Sequence, residues 1–190
     1  MQPIAQRLGL LLAEAVLMVQ GLPDDLLVVP VPLFGRKRRQ RGFNQSELLA
    51  RSASATLSRR RAHLRVQLAT GVIERQRSTE SQAGLSPHRR RVNVRGAFFV
   101  PEPGRVNGRN VLLIDDIYTT GATARACSQV LRRAGAGSVW VAAVARAQKE
   151  FIPRPKLSGF EAIANHEVPM EQDIALWEEG CPALTGGMAR

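Results

Sequence analysis

Aromatic residues are scarce: Phe, Trp and Tyr together make up 5% of the chain. So few stacking platforms argue against a protein that grips nucleic acid mainly by its bases. Cysteine is limited to Cys127 and Cys181, neither in a C-x-x-C pair, which excludes a zinc ribbon and a dithiol redox motif. Cys127 lies in an expected helix and reads as core. His63, His88 and His166 show no metal-ligand spacing and read as surface residues. The longest apolar stretch, Leu8 to Val19, is interrupted by Glu14 and is too short to span a bilayer. It also lacks the basic start and cleavage site of a secretory signal. No membrane insertion is expected, and the expected location is cytoplasmic. Internal repeats and low-complexity segments are absent. Lysine is nearly missing as well, with 3 against 24 arginines.

What is present is therefore arginine. The formal net charge is +11. A planar guanidinium can donate two hydrogen bonds at once to a phosphate, so the excess points to a phosphate-rich partner, either a small polyanion or nucleic acid. Arginine-rich codon usage explains the bulk value equally well, so the location of the charge matters more than its sum. Residues 1–147 hold 23 basic and 9 acidic side chains, a net of +14, whereas residues 148–190 hold 4 and 7, a net of −3. The sign changes near Ile152-Pro153-Arg154-Pro155, and the reading is a basic body, 1–147, with an acidic tail, 148–190. At 190 residues the chain suffices for one full core and is marginal for two.

Ile4, Leu8, Leu11, Leu12, Ala15 and Val19 recur at helical spacing, up to Gly21 and Pro23. Leu26 to Val29 reads as a buried strand. A long loop, Val31 to Phe43, carries Arg36, Lys37, Arg38, Arg39 and Arg41. Asn44, with Glu47 three residues on, starts a helix expected to run to about Leu57. Val66 to Ile73 reads as a second strand and Ala97 to Val100 as a third, separated by a polar mobile loop that is helical around Ser81 to Arg91. Asn110 to Ile114 is the strongest strand, apolar on both faces, as in the middle of a covered parallel sheet. A loop from Asp115 to Gly121, a helix from Ala122 to about Ala134 and a strand from Ser138 to Val144 complete a right-handed crossover unit. The fold class is α/β, with an open, mainly parallel sheet flanked by helices.

The segment Val111 to Thr123 carries the chemistry. Asp115 and Asp116 stand at the carboxyl end of a buried strand, the edge where open α/β sheets bind ligands. Buried adjacent carboxylates need donors, and paired sugar hydroxyls are suitable ones. Just beyond, Thr119, Thr120, Gly121, Ala122 and Thr123 open a helix. Small residues let backbone N–H groups curl around an anion, and the helix N-terminus adds partial positive charge. A ribose at the aspartates and a phosphate in the loop together make a ribose 5-phosphate. Tyr118, beside the loop, either stacks on ligand or packs.

These thirteen residues resemble the phosphoribosyl-pyrophosphate (PRPP) signature of the type I phosphoribosyltransferases. Val29 to Leu33, Arg38 to Gln45 and Leu48 to Ala50 look like the ComF/GntX group within that superfamily. Arg75, Arg77, Thr79, Gln82, Leu85, Arg91 and Asn93 fall like that group's mobile loop. The resemblance covers residues 1 to about 147. It implies the type I phosphoribosyltransferase fold and ribose hydroxyls held by Asp115 and Asp116 as the catalytic acidic pair. It further implies a 5-phosphate held at Thr119 to Thr123 and pyrophosphate met by Arg39, Arg41 and the backbone near Gly42. Arg75, Arg77 and Arg91 would sit in a loop that closes over the site, and Mg2+ would be held mainly by the substrate. The sequence departs from the group in lacking a cysteine-rich zinc segment and in its tail, Gly159 to Arg190, which includes Trp177 and which would act as a hood, dock on a partner or pair with the body.

The first functional reading is a PRPP-binding, Mg2+-dependent protein that transfers ribose 5-phosphate to a nitrogen nucleophile with loss of pyrophosphate. The rival, which the ComF resemblance implies, is an accessory protein for single-stranded DNA uptake or repair that keeps the fold for nucleotide or DNA binding. A PRPP sensor without turnover is a third. Turnover, the acceptor and the oligomeric state, including a homodimer, are left open.

Overall fold

Apolar side chains on both faces of a strand require cover on both sides of a sheet, and the computed structural model meets that requirement with two helical layers of unequal size. It describes residues 2–33, 42–76, 96–146 and 175–178, the last of these for the backbone alone. The elements are α1 (Gln2–Leu17), β1 (Asp25–Pro30), α2 (Gln45–Arg60), β2 (Arg65–Leu68), β3 (Glu74–Arg75), β4 (Phe98–Phe99), β5 (Asn110–Tyr118), α3 (Ala122–Arg133), β6 (Ser138–Arg146) and β7 (Ala175–Glu178), with a 3-10 turn at Pro103–Arg105. The main sheet has the order β2-β1-β5-β6-β7. Its first four strands are parallel, with Val28 opposite Leu112 and Leu112 opposite Trp140. β7 closes the edge antiparallel to β6, Trp177 opposite Val141. The α/β expectation, an open and mainly parallel sheet with flanking helices, is met, and a strand from the acidic tail pairs with the basic body.

Alternation along the strands sorts the core. Leu26, Val28, Leu112, Ile114 and Ala142 pack with Leu12, Ala13 and Val16 of α1 and Leu49, Ala53 and Leu57 of α2. Leu27, Val29, Val111, Leu113 and Val141 pack on the other side with Cys127 and Leu131 of α3 and with Val72, Ile73 and Phe98. α1 and α2 approach closely at Gly9, where a Cβ would collide with Ser52, and the Ser52 hydroxyl donates to the Gln6 carbonyl at 3.0 Å. α3 ends in a Schellman motif: the Ala136 N–H reaches back to the Leu131 carbonyl and the Gly135 N–H to the Arg132 carbonyl, with Gly135 at φ +91°.

Three boundaries differ from the sequence reading. The expected strand Val66 to Ile73 stops at Leu68, because Gly71 at φ +70° turns the chain. Val72 and Ile73 are apolar because they are buried in the α3-side core, not because they belong to a ladder. The expected third strand and the start of the expected mobile loop instead pair with each other: Arg75 lies opposite Phe98 in a separate two-stranded sheet. Residues 115–118, expected as loop, continue β5, since β6 runs alongside them as far as Tyr118 opposite Arg146. The helix expected around Ser81 to Arg91 falls outside the described residues.

Candidate functional site

β1 leads through α2 to β2 on one side of the sheet, and β5 leads through α3 to β6 on the other. The chain therefore reverses its direction of travel between β1 and β5. A crevice opens outside the carboxyl ends of strands at such a switch point. Both helix N-termini, α2 and α3, face this edge.

The start of α2 is tied down by Asn44. Its side-chain carbonyl accepts from the Ser46 N–H at 3.2 Å, and its amide donates to the Val31 carbonyl at 3.0 Å. Val31 itself continues the β1–β5 ladder through its N–H to the Ile114 carbonyl at 2.8 Å. The cap thus fixes α2 against the strand ends, and it delivers Ser46, whose hydroxyl donates to Asp115 Oδ1 at 3.3 Å.

Asp115 is only 7% exposed. The same Oδ1 also accepts the Asp116 N–H at 2.9 Å, and Asp116 Oδ1 accepts the Ile117 N–H at 2.9 Å. Burial raises the Asp115 pKa to about 8, helped by the charge and side chain of Asp116; the Asp116 N–H and Ser46 hydroxyl pull the other way. At neutral pH the Asp115 carboxyl is therefore largely protonated in the ligand-free protein, while Asp116 beside it is half-buried. On the α3 side, burial also raises the Cys127 thiol, with Asp115 adding to it.

The start of α3 is built differently. Gly121 is the N-cap residue at φ +71°, with no side-chain cap, and the first turn holds no acidic residue. That left-handed conformation suits glycine. A Cβ there would also run into the Tyr118 ring, lying 2.6 Å from its Cζ. Tyr118 is partly buried against the α3-side core, so the structure favours packing as its role. Gly121 and Ala122 are buried; Thr119, Thr120 and Thr123 are half-buried. Thr120 Oγ1 is enclosed with no hydrogen-bond partner among the described residues. The Thr120 carbonyl accepts from the Arg125 guanidinium at 2.8 Å, and the Gly121 carbonyl from the Arg125 N–H at 2.9 Å. The arrangement is a helix start without a side-chain cap, next to an enclosed hydroxyl with no partner among the described residues, a setting suited to an anion.

Beside the crevice a cleft of about 340 Å3 runs between the end of β1 and the turn after β2, with Asn44, Glu47, Glu74 and Arg75 among its walls. Arg75 is half-buried, with its guanidinium carbon 5.3 Å from the centre of the Phe98 ring. Burial lowers its pKa from the ordinary arginine value, opposed by Cys127 and Asp115. Gly42 is exposed at φ +75°. Arg39, Arg41, Arg77 and Arg91 lie outside the described residues. Among the described residues no group of three His, Cys, Asp or Glu could hold a metal ion, and His63 sits at the surface 3.6 Å from Asp24. Sequence reasoning missed Ser46 and Arg125 as site residues. Ser46 carries no local signal, being 69 positions from Asp115; Arg125, one turn into α3, could have been found from its place after the glycine.

No family model matches the chain. The DNA utilization protein YhgH of Escherichia coli O157:H7 is 39% identical over 120 residues, which make up 63% of this chain and 48% of that protein. Competence protein F of Haemophilus influenzae is 33% identical over 121 residues, 63% of this chain and 50% of the relative. Over that stretch the chain is similar to these YhgH and competence F proteins. It spans about half the length of the curated relatives it matches. Among solved structures, one described as the allosteric regulatory enzyme of purine biosynthesis aligns with a TM-score of 0.48 at 22% identity, covering 74% of this chain and 25% of that one. No helix among the described residues is long and apolar enough to cross a membrane.

Proposed function

We propose that the chain is an accessory protein for handling DNA, of the kind its YhgH and competence F relatives are named for, and that its crevice takes a ribose 5-phosphate unit, from a nucleotide or from PRPP. The observation that carries the ligand is the start of α3: an uncapped helix with Gly121 in the left-handed region, an enclosed Thr120 hydroxyl without a partner among the described residues, and no acid in the first turn. A phosphate there would accept from backbone N–H groups of the helix start and from that hydroxyl, and neighbouring ribose hydroxyls would donate to the Asp115–Asp116 pair. The basic body, with its net of +14 over residues 1–147, supplies a sequence-independent attraction for a DNA backbone.

The transferase reading stands second, favoured by the acidic pair and the phosphate loop lying in register on one strand–loop–helix frame. In that reaction the bond from the sugar's anomeric carbon to nitrogen forms as its bond to pyrophosphate oxygen breaks, and the acceptor's proton leaves to solvent. Mg2+ would enter with the pyrophosphate and neutralise part of its charge. Asp116, a half-buried carboxylate beside the loop, fits such a shared ion. Arg39, Arg41 and Gly42 are proposed for pyrophosphate, and Arg75, Arg77 and Arg91 for the segment beside it.

The test is a side-by-side titration of the purified protein with Mg-PRPP, ribose 5-phosphate and a labelled single-stranded oligonucleotide. Wild type should bind the sugar phosphate, and Asp115→Asn/Asp116→Asn should bind it far more weakly; equal affinity refutes the site. DNA affinity should fall with salt, with a log–log slope of about −3 if four arginines such as Arg36, Arg38, Arg39 and Arg41 each meet a phosphate. Pyrophosphate release with an amine acceptor would move the transferase reading to first place.

A further inference from the structure

α1 has two apolar stripes, and the core accounts for one of them. Leu12, Ala13 and Val16 are buried on α2 and the sheet. The other stripe, Ile4, Leu8, Leu11, Ala15 and Met18, runs with the alternating four- and three-residue spacing of a helix-pairing seam. Ile4 is 66% exposed, Leu11 51% and Met18 74%, with Leu8 and Ala15 half-buried beneath them. Single exposed apolar residues are ordinary, but these are aligned along about 17 Å of helix, from Ile4 to Ala15, with Met18 in the turn that follows.

We propose that this seam is a self-association surface on which a second copy of the chain lays its own α1 antiparallel. The stripe is self-complementary in that direction. With Leu11 at the centre, Ile4 meets Met18 of the second copy, and the large Leu8 meets the region of the small Ala15. The flank is complementary too. Arg7 and Glu14 lie on one side of the seam, seven residues apart. An antiparallel mate brings Arg7 to within one residue's rise of Glu14 of the second copy, and symmetry repeats the pair. Glu14 is exposed and already held 3.3 Å from Arg60, which leaves its other oxygen to receive Arg7. A parallel pairing forms neither contact. The inference is independent of the reading of the ligand site. One helix face is smaller than a standard interface, so the dimer is expected to be weak and concentration-dependent.

Sedimentation velocity over a concentration series tests it. Wild type should move from monomer to dimer, and Leu11→Glu should weaken association by about a hundredfold, from two buried charges at the centre. Its circular dichroism should match wild type because Leu11 faces solvent. Arg7→Glu and Glu14→Arg should each weaken self-association by about tenfold. An equimolar mixture of those two variants should associate better than either alone, since only the mixed dimer restores both ion pairs. A wild type that stays monomeric at every concentration overturns the proposal. So does a Leu11→Glu protein that dimerises like wild type, or a mixture that shows no rescue.

Discussion

Two helices begin at the same edge of the same sheet, and they begin in opposite ways. α2 satisfies itself: Asn44 caps it, and Glu47 places a carboxylate in its first turn. α3 does neither; its N-cap is a left-handed glycine, its first turn has no acid, and the hydroxyl nearest it has no partner among the described residues. A helix start leaves about four N–H groups without partners, and each must find one. α2 spends side chains on that need and gains a rigid joint to β1. α3 has no such side-chain cap, and on the proposed reading an incoming phosphate takes its place. On the proposed reading, the structural helix end and the phosphate-binding one are told apart by what they lack.

The largest effect should follow from closing the open end. Gly121→Val forces a β-branched residue into φ +71° and drives its Cβ into Tyr118. Ribose 5-phosphate binding should fall by about a hundredfold or more by calorimetry, and the melting temperature should drop as well. Affinity that survives in a folded variant would mean that the phosphate sits elsewhere.

Next comes Asp115. The unfolded carboxyl releases its proton near 3.8 and the folded one holds it to about 8. Between those values the unfolded chain binds fewer protons, so stability should fall as pH rises through that window. Asp115→Asn stays neutral and can still accept from Ser46 and from the Asp116 N–H. Its melting temperature should match wild type near pH 4 and exceed it near pH 8.5. Parallel curves for the two proteins would remove Asp115 as the source.

Asn44→Ala should cost about 1–2 kcal/mol in denaturant unfolding, as for other lost caps, with the tie to Val31 lost as well. Sugar-phosphate affinity should change little, which separates the two helix ends. The smallest effect is Thr120→Val, expected to weaken ribose 5-phosphate by about tenfold while leaving the fold as stable as before. Its enclosed hydroxyl makes no hydrogen bond with the described residues for the valine to break.

Local features were legible in the sequence. Asn44 with Glu47 marked one helix start, Gly121 after two threonines marked the other, and the run Val111 to Ile114 marked the central strand. Features that depend on distant partners were not. Residues 115–118 read as loop because their strand partner, Ala143 to Arg146, lies beyond the next helix. Val72 and Ile73 looked like strand because burial in a core and burial in a ladder leave the same apolar signature. The position of Arg75 was hidden for a similar reason: its pairing with Phe98 joins segments on either side of a long polar stretch. Tyr118 left two readings open until the structure placed its ring across Gly121.

The most direct measurement is a backbone-amide chemical-shift titration with ribose 5-phosphate. The account predicts that the N–H signals of residues 120–125, at the open start of α3, shift most and saturate together. Those of residues 45–48, at the capped start of α2, should move little. Shifts centred on α2, or none at either helix, would contradict the claim that the uncapped helix end is the phosphate site.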